Sequence, residues 1–369
     1  MKKSVYAAFY HGKKVLVTGH TGFKGTWLCA ILKDLGAEVC GYALAPQDPG
    51  LFSYTAMDAG IKSVEGDIRD LAHLMSVFTE FQPEIVIHMA AQPIVRESYL
   101  QPVLTYETNV MGTVNMLECV RKCASVKSVV NVTTDKVYLN KEQDVAYVET
   151  DMLDGYDPYS NSKSCSELVT HSYIQSFLDA QGVAVSTCRA GNVLGGGDFA
   201  KDRIIPDCVR AAFAGEPIIL RNPHSTRPYQ HVLEPLFVYL MVAMRQYENS
   251  IYAGNYNVGP DDTNNVTTGI LADRFCYFWN LDNESEADHL KYKIQGDGGP
   301  HEAGFLKLDC TKLKSVFLWE PTWDIDETLI KIVSFEKLRK HLEDSKAGKE
   351  KMAEDLYACM IDQIHAFLQ

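Results

Sequence analysis

The run Lys14-Val15-Leu16-Val17-Thr18, followed at once by Gly19-His20-Thr21-Gly22-Phe23-Lys24-Gly25, constrains this chain more than any other segment. A short β-branched run reads as a buried strand, and the apolar spacing over Thr26–Leu35 reads as a helix. The glycines between them allow a tight turn and a close approach of backbone to an anion at the helix N-terminus. Strand, glycine loop and helix in that order predict a cradle for a dinucleotide pyrophosphate. Its candidate contacts are Gly19, Thr21, Gly22, Phe23, Lys24 and Gly25, with Lys24 adding a positive charge beside the pyrophosphate.

The same alternation continues. Glu38–Tyr42, Glu84–His88, Val126–Val132 and Val183–Cys188 read as strands, and Leu71–Phe81, Thr105–Cys123 and Ser160–Ala180 as helices. This pattern implies right-handed βαβ units on a doubly wound, Rossmann-like parallel sheet, here assigned to residues 1–190. Beyond residue 190 the segments shorten. Gly195-Gly196-Gly197, Arg227-Pro228, Gly259-Pro260 and Gly298-Gly299-Pro300 punctuate them, which suits a smaller mixed lobe over 191–369, with some segments returning to the sheet. The tail from Thr328 is helix-compatible, and Lys337–Glu354 reads as a solvated helical face.

Composition removes whole classes. A net charge of -13 opposes nonspecific binding to nucleic acid or acidic membranes. No apolar run approaches the roughly 18–20 residues that span a bilayer, and no apolar signal core follows the basic start MKKSVYAAFYHGKK. Ten cysteines without a Cys-x-x-Cys pair read as scattered thiols of a reducing compartment, giving a cytoplasmic expectation. His20, His231 and His301 lack metal-ligand spacing, so no metal is expected.

Tyr159-Ser160-Asn161-Ser162-Lys163 opens a helix and sets a phenol one turn from an ammonium. A neighbouring cation lowers a phenol's pKa, so the phenolate can accept an alcohol proton during hydride transfer. Upstream, a strand ends in Thr133-Thr134-Asp135-Lys136-Val137-Tyr138. Together with the Gly-x-x-Gly-x-x-Gly spacing, these elements resemble the extended branch of the short-chain dehydrogenase/reductase superfamily. The resemblance implies a bound NAD and a Thr134 hydroxyl on the substrate, Thr133 being the near alternative. It implies Asp67 at the adenine end, beside Ile68, and Ala90 and Ala91 lining the nicotinamide side. Tyr42-Ala43-Leu44-Ala45 departs from the pattern, because the acid that normally holds the ribose hydroxyl is missing before Asp48.

Asp135-Lys136 narrows the resemblance further. Nucleotide-sugar 4,6-dehydratases commonly read Thr-Asp-Glu here, and the Thr-Asp-Lys form is similar to CDP-glucose 4,6-dehydratases. Arg189-Ala190-Gly191-Asn192, Asp202-Arg203-Ile204-Ile205-Pro206-Asp207, Arg227-Pro228-Tyr229-Gln230-His231-Val232 and His301-Glu302-Ala303 extend the likeness over nearly the whole chain. It implies a redox-neutral dehydration of CDP-glucose, serving deoxysugar synthesis for surface polysaccharide. In it Tyr159 is the C4 base, Asp135 the C6 acid, Lys136 the candidate C5 base, and Lys163 the partner of Tyr159. Arg227 would grip the diphosphate, Asn192 the sugar-proximal phosphate, and Arg203, His301 and Arg189 are further candidates. A homodimer or homotetramer is implied as well. A nucleotide-sugar 4-epimerase or reductase, and a non-catalytic NAD(P)-binding scaffold, are the competing readings.

Overall fold

The computed structural model describes residues 2–141, 145–261, 265–283, 285–296 and 305–369. Its strands, in chain order, are β1 Lys14–Thr18, β2 Glu38–Ala43, β3 Lys62–Glu65, β4 Ile85–His88, β5 Ser128–Thr134, β6 Ala184–Ala190, β7 Asn192–Leu194, β8 Ile218–Leu220, β9 Thr226–His231, β10 Asn255–Val258, β11 Asn265–Thr267 and β12 Tyr292–Ile294. Seven of them form one sheet in the order β10-β6-β5-β4-β1-β2-β3. Every pairing in it is parallel. The chain winds outward from β1 through β2 to β3, then crosses to β4 on the other side of β1. That reversal opens a crevice at the C-terminal ends of β1 and β4, where open α/β sheets bind ligands.

Both faces of the sheet are covered, which is why its central strands are apolar without alternation. Val15 and Val17 of β1 join one core with Trp27, Ile31, Leu236 and Leu240. Leu16, one residue between them, points the other way into a core with Leu74, Phe78, Met116 and Leu117. The helix Leu233–Glu248, built on the longest apolar run of the chain, packs on β5 and β6. A three-stranded sheet, β11-β9-β7, and the pair β12-β8 build the smaller lobe.

Four segments differ in detail from the sequence reading. A helix at Lys3–Tyr10 precedes β1, anchored by Tyr6 and Tyr10, which donate to the carbonyls of Phe237 and Leu240. The expected helices Thr105–Cys123 and Ser160–Ala180 are helical, each carrying a π-turn, at Glu107–Met111 and Ile174–Leu178. Lys337–Glu354 is not one solvated face. It spans two helices, Ile325–Asp344 and Lys349–Phe367, and Arg339 is buried between the carboxylates of Glu336 and Glu343.

Glu234 ties this C-terminal region to the end of β9. Its Oε1 accepts from the backbone N–H groups of Thr322 and Trp323, while its Oε2 has no partner. Burial raises its pKa to about 7. A carboxyl raised in the folded state contributes stability at low pH and loses it as pH rises through that folded value. Glu234→Gln is therefore expected to flatten the fall in Tm between about pH 5 and pH 8. An unchanged slope in thermal unfolding would contradict this assignment.

Candidate active site

The glycine loop closes because two of its residues leave no room for a side chain. A Cβ on Gly19, whose φ is +76°, would lie 2.8 Å from the Ala90 nitrogen, and one on Gly25 would lie 2.2 Å from the Gly19 carbonyl oxygen. The Thr18 hydroxyl fastens the same corner from below, accepting from the N–H groups of Met89 and Ala90 at 3.1 Å and meeting His88 Nδ1 at 2.7 Å. Gly22 caps the helix Phe23–Asp34, whose first N–H groups have no partner within the helix itself. This turn, closed to a β-carbon at Gly19 and Gly25 and followed at once by a helix N-terminus, fits a dinucleotide pyrophosphate. Thr21 donates to the Leu44 carbonyl at the end of β2. Ile68 is buried against Gly112. Asp67, at the edge beyond β3, holds Arg69 through both carboxylate oxygens, and the cap of the next helix is Asp70. Ala90 and Ala91 stand where β4 ends, half-buried against the loop.

Lys24 departs from the expected place. Its amine turns inward and lies 3.2 Å from the Tyr239 hydroxyl. Burial lowers its pKa to about 7, and the charges of Arg203 and Lys163 act in the same direction. Tyr239, buried on the Leu233–Glu248 helix, carried no sequence signal beyond the apolar spacing around it.

Tyr159 and Lys163 sit on the first turns of the helix Pro158–Tyr173, whose start is fixed by Pro158 and by Asp157 accepting from Ser160 N–H. Lys163 is buried and donates to the Val132 carbonyl at 3.1 Å. Burial brings its pKa down to about 8, opposed by Glu167 one turn further on. Tyr159 faces the Thr134 hydroxyl, and burial raises its phenol to about 12. Burial thus opposes the phenolate that Lys163 and a cationic nicotinamide together are expected to favour.

The end of β5 brings in the carboxyl. Thr134 donates to Asp135 Oδ1 at 2.9 Å. Asp135 is 1% exposed, and its second oxygen has no partner. Burial raises its pKa, against the opposing influence of Lys136, Thr134 and Arg227. Raising a carboxyl's pKa favours the protonated form that a proton donor needs. Lys136, half-buried, is its immediate neighbour.

The phosphate candidates divide. Arg227 on β9 is buried and electrostatically coupled to Asp135, so it faces the site. Arg203 pairs with Asp198 at 3.0 Å and is coupled to Tyr159 and Lys24. Asn192 opens β7 opposite Tyr229. His301 lies outside the described residues. Arg189 is a correction: its guanidinium grips Glu167 through two bonds and also donates to the Tyr138 hydroxyl and the Glu149 carbonyl. With those donors engaged inside the core, it is a brace behind the Tyr159 helix and not a phosphate ligand. Arg189→Met should cost about 3–5 kcal/mol in urea unfolding, because the Glu167 carboxylate is left buried and unpaired. A loss below about 1 kcal/mol would contradict that role.

Sequence reasoning also missed Asn109, in the π-turn. It accepts from Gln92 N–H and donates to the Gln92 carbonyl and to Ser162 Oγ, joining the end of β4 to the catalytic helix. Its only signal was polarity inside an apolar helix.

The family model described as GDP-mannose 4,6 dehydratase matches residues 16–332. The chain belongs to this dehydratase family. Among its curated relatives is the CDP-glucose 4,6-dehydratase of Salmonella typhimurium, 47% identical over 89% of this chain and 92% of that protein. A dTDP-glucose 4,6-dehydratase of Xanthomonas campestris is 25% identical over 87% of this chain and 92% of its own. The fold of the family is also that of the Bacillus anthracis dTDP-glucose 4,6-dehydratase solved with NAD. The two share 22% identity at a TM-score of 0.72, over 89% of this chain and 98% of the other. Among the described residues no group of three or more His, Cys, Asp or Glu side chains could hold a metal.

Proposed function

We propose that this member of the dehydratase family is an NAD-dependent CDP-glucose 4,6-dehydratase. It would convert CDP-glucose to CDP-4-dehydro-6-deoxyglucose and so feed deoxysugar synthesis for surface polysaccharide. The observation that carries the chemistry is Asp135: a buried carboxyl with a free oxygen, one hydroxyl away from Tyr159. The choice of CDP rests on the relative at 47% identity.

NAD, when bound, supplies a hydride acceptor at C4 and returns the hydride at C6. Gly19, Thr21, Gly22, Phe23 and Gly25 would hold its pyrophosphate, with Asp67 and Ile68 toward the adenine and Ala90 and Ala91 toward the nicotinamide. Thr134 hydrogen-bonds the C4 oxygen while Tyr159 takes its proton. Lys163, buried on the same helical face, stabilises the phenolate. The 4-ketone then acidifies C5–H, and Lys136 is the base that removes that proton. Asp135 protonates the departing C6 hydroxyl, and Lys136 returns its proton to C5. Arg227, Arg203 and Asn192 would receive the charged diphosphate.

An epimerase has no use for the C6 acid, and a scaffold has none for the Tyr159–Lys163 pair. The test is a panel of CDP-, dTDP-, UDP- and GDP-sugars with catalytic NAD, followed by product mass. Loss of one water from CDP-glucose supports the proposal. Water loss from another nucleotide alone would change the substrate, an isobaric product would indicate an epimerase, and no reaction would leave the scaffold.

A homo-oligomer belongs to this proposal. Val103, Met111, Leu168 and Phe177 are exposed on the adjoining helical segments at 102–122 and 158–178. Leu168→Glu is expected to shift the assembly to a smaller species in light scattering. Residence in a reducing, cytoplasmic compartment is proposed from the ten free cysteines. No helix among the described residues is long and apolar enough to cross a membrane.

A further inference from the structure

The inference rests on the dehydratase reading and follows from its proton balance. In each turnover Tyr159 gains the proton of the C4 hydroxyl. Asp135 loses a proton, which leaves with the C6 oxygen as water. The proton taken from C5 goes back to C5 from the same base and cancels. When product leaves, the phenol is therefore protonated and the carboxyl is ionised, one proton out of place relative to the start. The next turnover requires that proton to pass from Tyr159 to Asp135.

Bulk water reaches the Asp135 end of this path poorly, since Asp135 is 1% and Thr134 6% exposed, while Tyr159 is half-buried. One side chain already joins the two groups. The Tyr159 phenol faces the Thr134 hydroxyl, which favours its ionised form, and Thr134 Oγ1 donates to Asp135 Oδ1 at 2.9 Å. Thr134 is held there by the 3₁₀ turn Asp135–Val137, whose Lys136 N–H lies 3.4 Å from the same oxygen. A hydroxyl donates and accepts at once, so it can take one proton while releasing another.

We propose that the Thr134 hydroxyl is the conduit that carries the proton from Tyr159 back to Asp135 after each turnover, a task separate from its contact with the substrate oxygen. In the step, the Tyr159 O–H bond breaks as a new bond forms to Thr134 Oγ1. The original Thr134 O–H breaks as the proton joins Asp135 Oδ1. Negative charge moves from the carboxylate to the phenolate, and no other reactant is needed.

The experiment compares wild type, Thr134→Val and Thr134→Ser by rapid-quench counting of product per active site. Wild type and T134S should hold one rate from the first turnover onward. T134V, whatever its first-turnover rate, should form about one product per site and then slow by at least about tenfold. Added imidazole should speed its later turnovers and leave the first unchanged. Thr134→Ala removes the same hydroxyl with less bulk and is read identically if the valine does not fold. Equal first and later rates in T134V or T134A, fast or slow, would overturn the conduit while wild-type water loss upholds the dehydratase reading. Wild type that removes no water from any nucleotide sugar would overturn both.

Discussion

Tyr159→Phe is expected to reduce turnover about a thousandfold while NAD binding stays close to wild type. The substitution keeps the ring and its packing but removes the atom that receives the C4 proton. The neighbouring groups have other tasks: Lys163 Nζ donates to the Val132 carbonyl, Asp135 must keep its own proton for the later step, and Lys136 is reserved for the C5 proton. Steady-state kinetics alongside calorimetric titration of NAD would separate the two effects. Turnover unchanged in Tyr159→Phe would remove Tyr159 from the mechanism.

The second large effect falls on a different step. Asp135→Asn preserves shape and accepts a hydrogen bond from Thr134, yet an amide cannot give up a proton to a departing hydroxyl. C4 oxidation should continue and C6 water loss should slow by about 10²–10⁴. The visible result is a build-up of reduced nicotinamide in the near ultraviolet on mixing with substrate, absent in wild type. Dehydration at the wild-type rate would contradict the acid assignment. The same carboxyl sets a pH limb. Burial raises its pKa, so the protonated fraction, and with it the dehydration rate, falls as pH rises through that raised value. D135N should lack that limb.

Much of this site was legible in the sequence because its chemistry lies in short contiguous motifs. β1 and the glycine loop could be read directly, since the bare backbone turn at Gly19 and Gly25 admits no other residue. Tyr159 and Lys163 were legible because four residues on a helix bring two side chains to one face. Residues whose meaning depends on long-range packing were not. Arg189 occurs in a motif rich in binding residues, but its partners, Glu167, Tyr138 and Glu149, are brought to it only by the folding of β5, β6 and the catalytic helix. Lys24 was visible as a charge in the loop, and its inward turn was not, because Tyr239 lies more than two hundred residues away. The strand β10 was missed individually for a similar reason: Asn255–Val258 has no alternation of its own and belongs to the sheet through its pairing with β6.

The central claim is a hydride that leaves C4 and comes back to the same sugar at C6. CDP-glucose carrying deuterium at C4, incubated with the enzyme and catalytic NAD, tests it in one spectrum. The account predicts a product lighter by one water with the deuterium on C6 and no net reduction of NAD. Deuterium retained at C4, or lost to solvent, would contradict it.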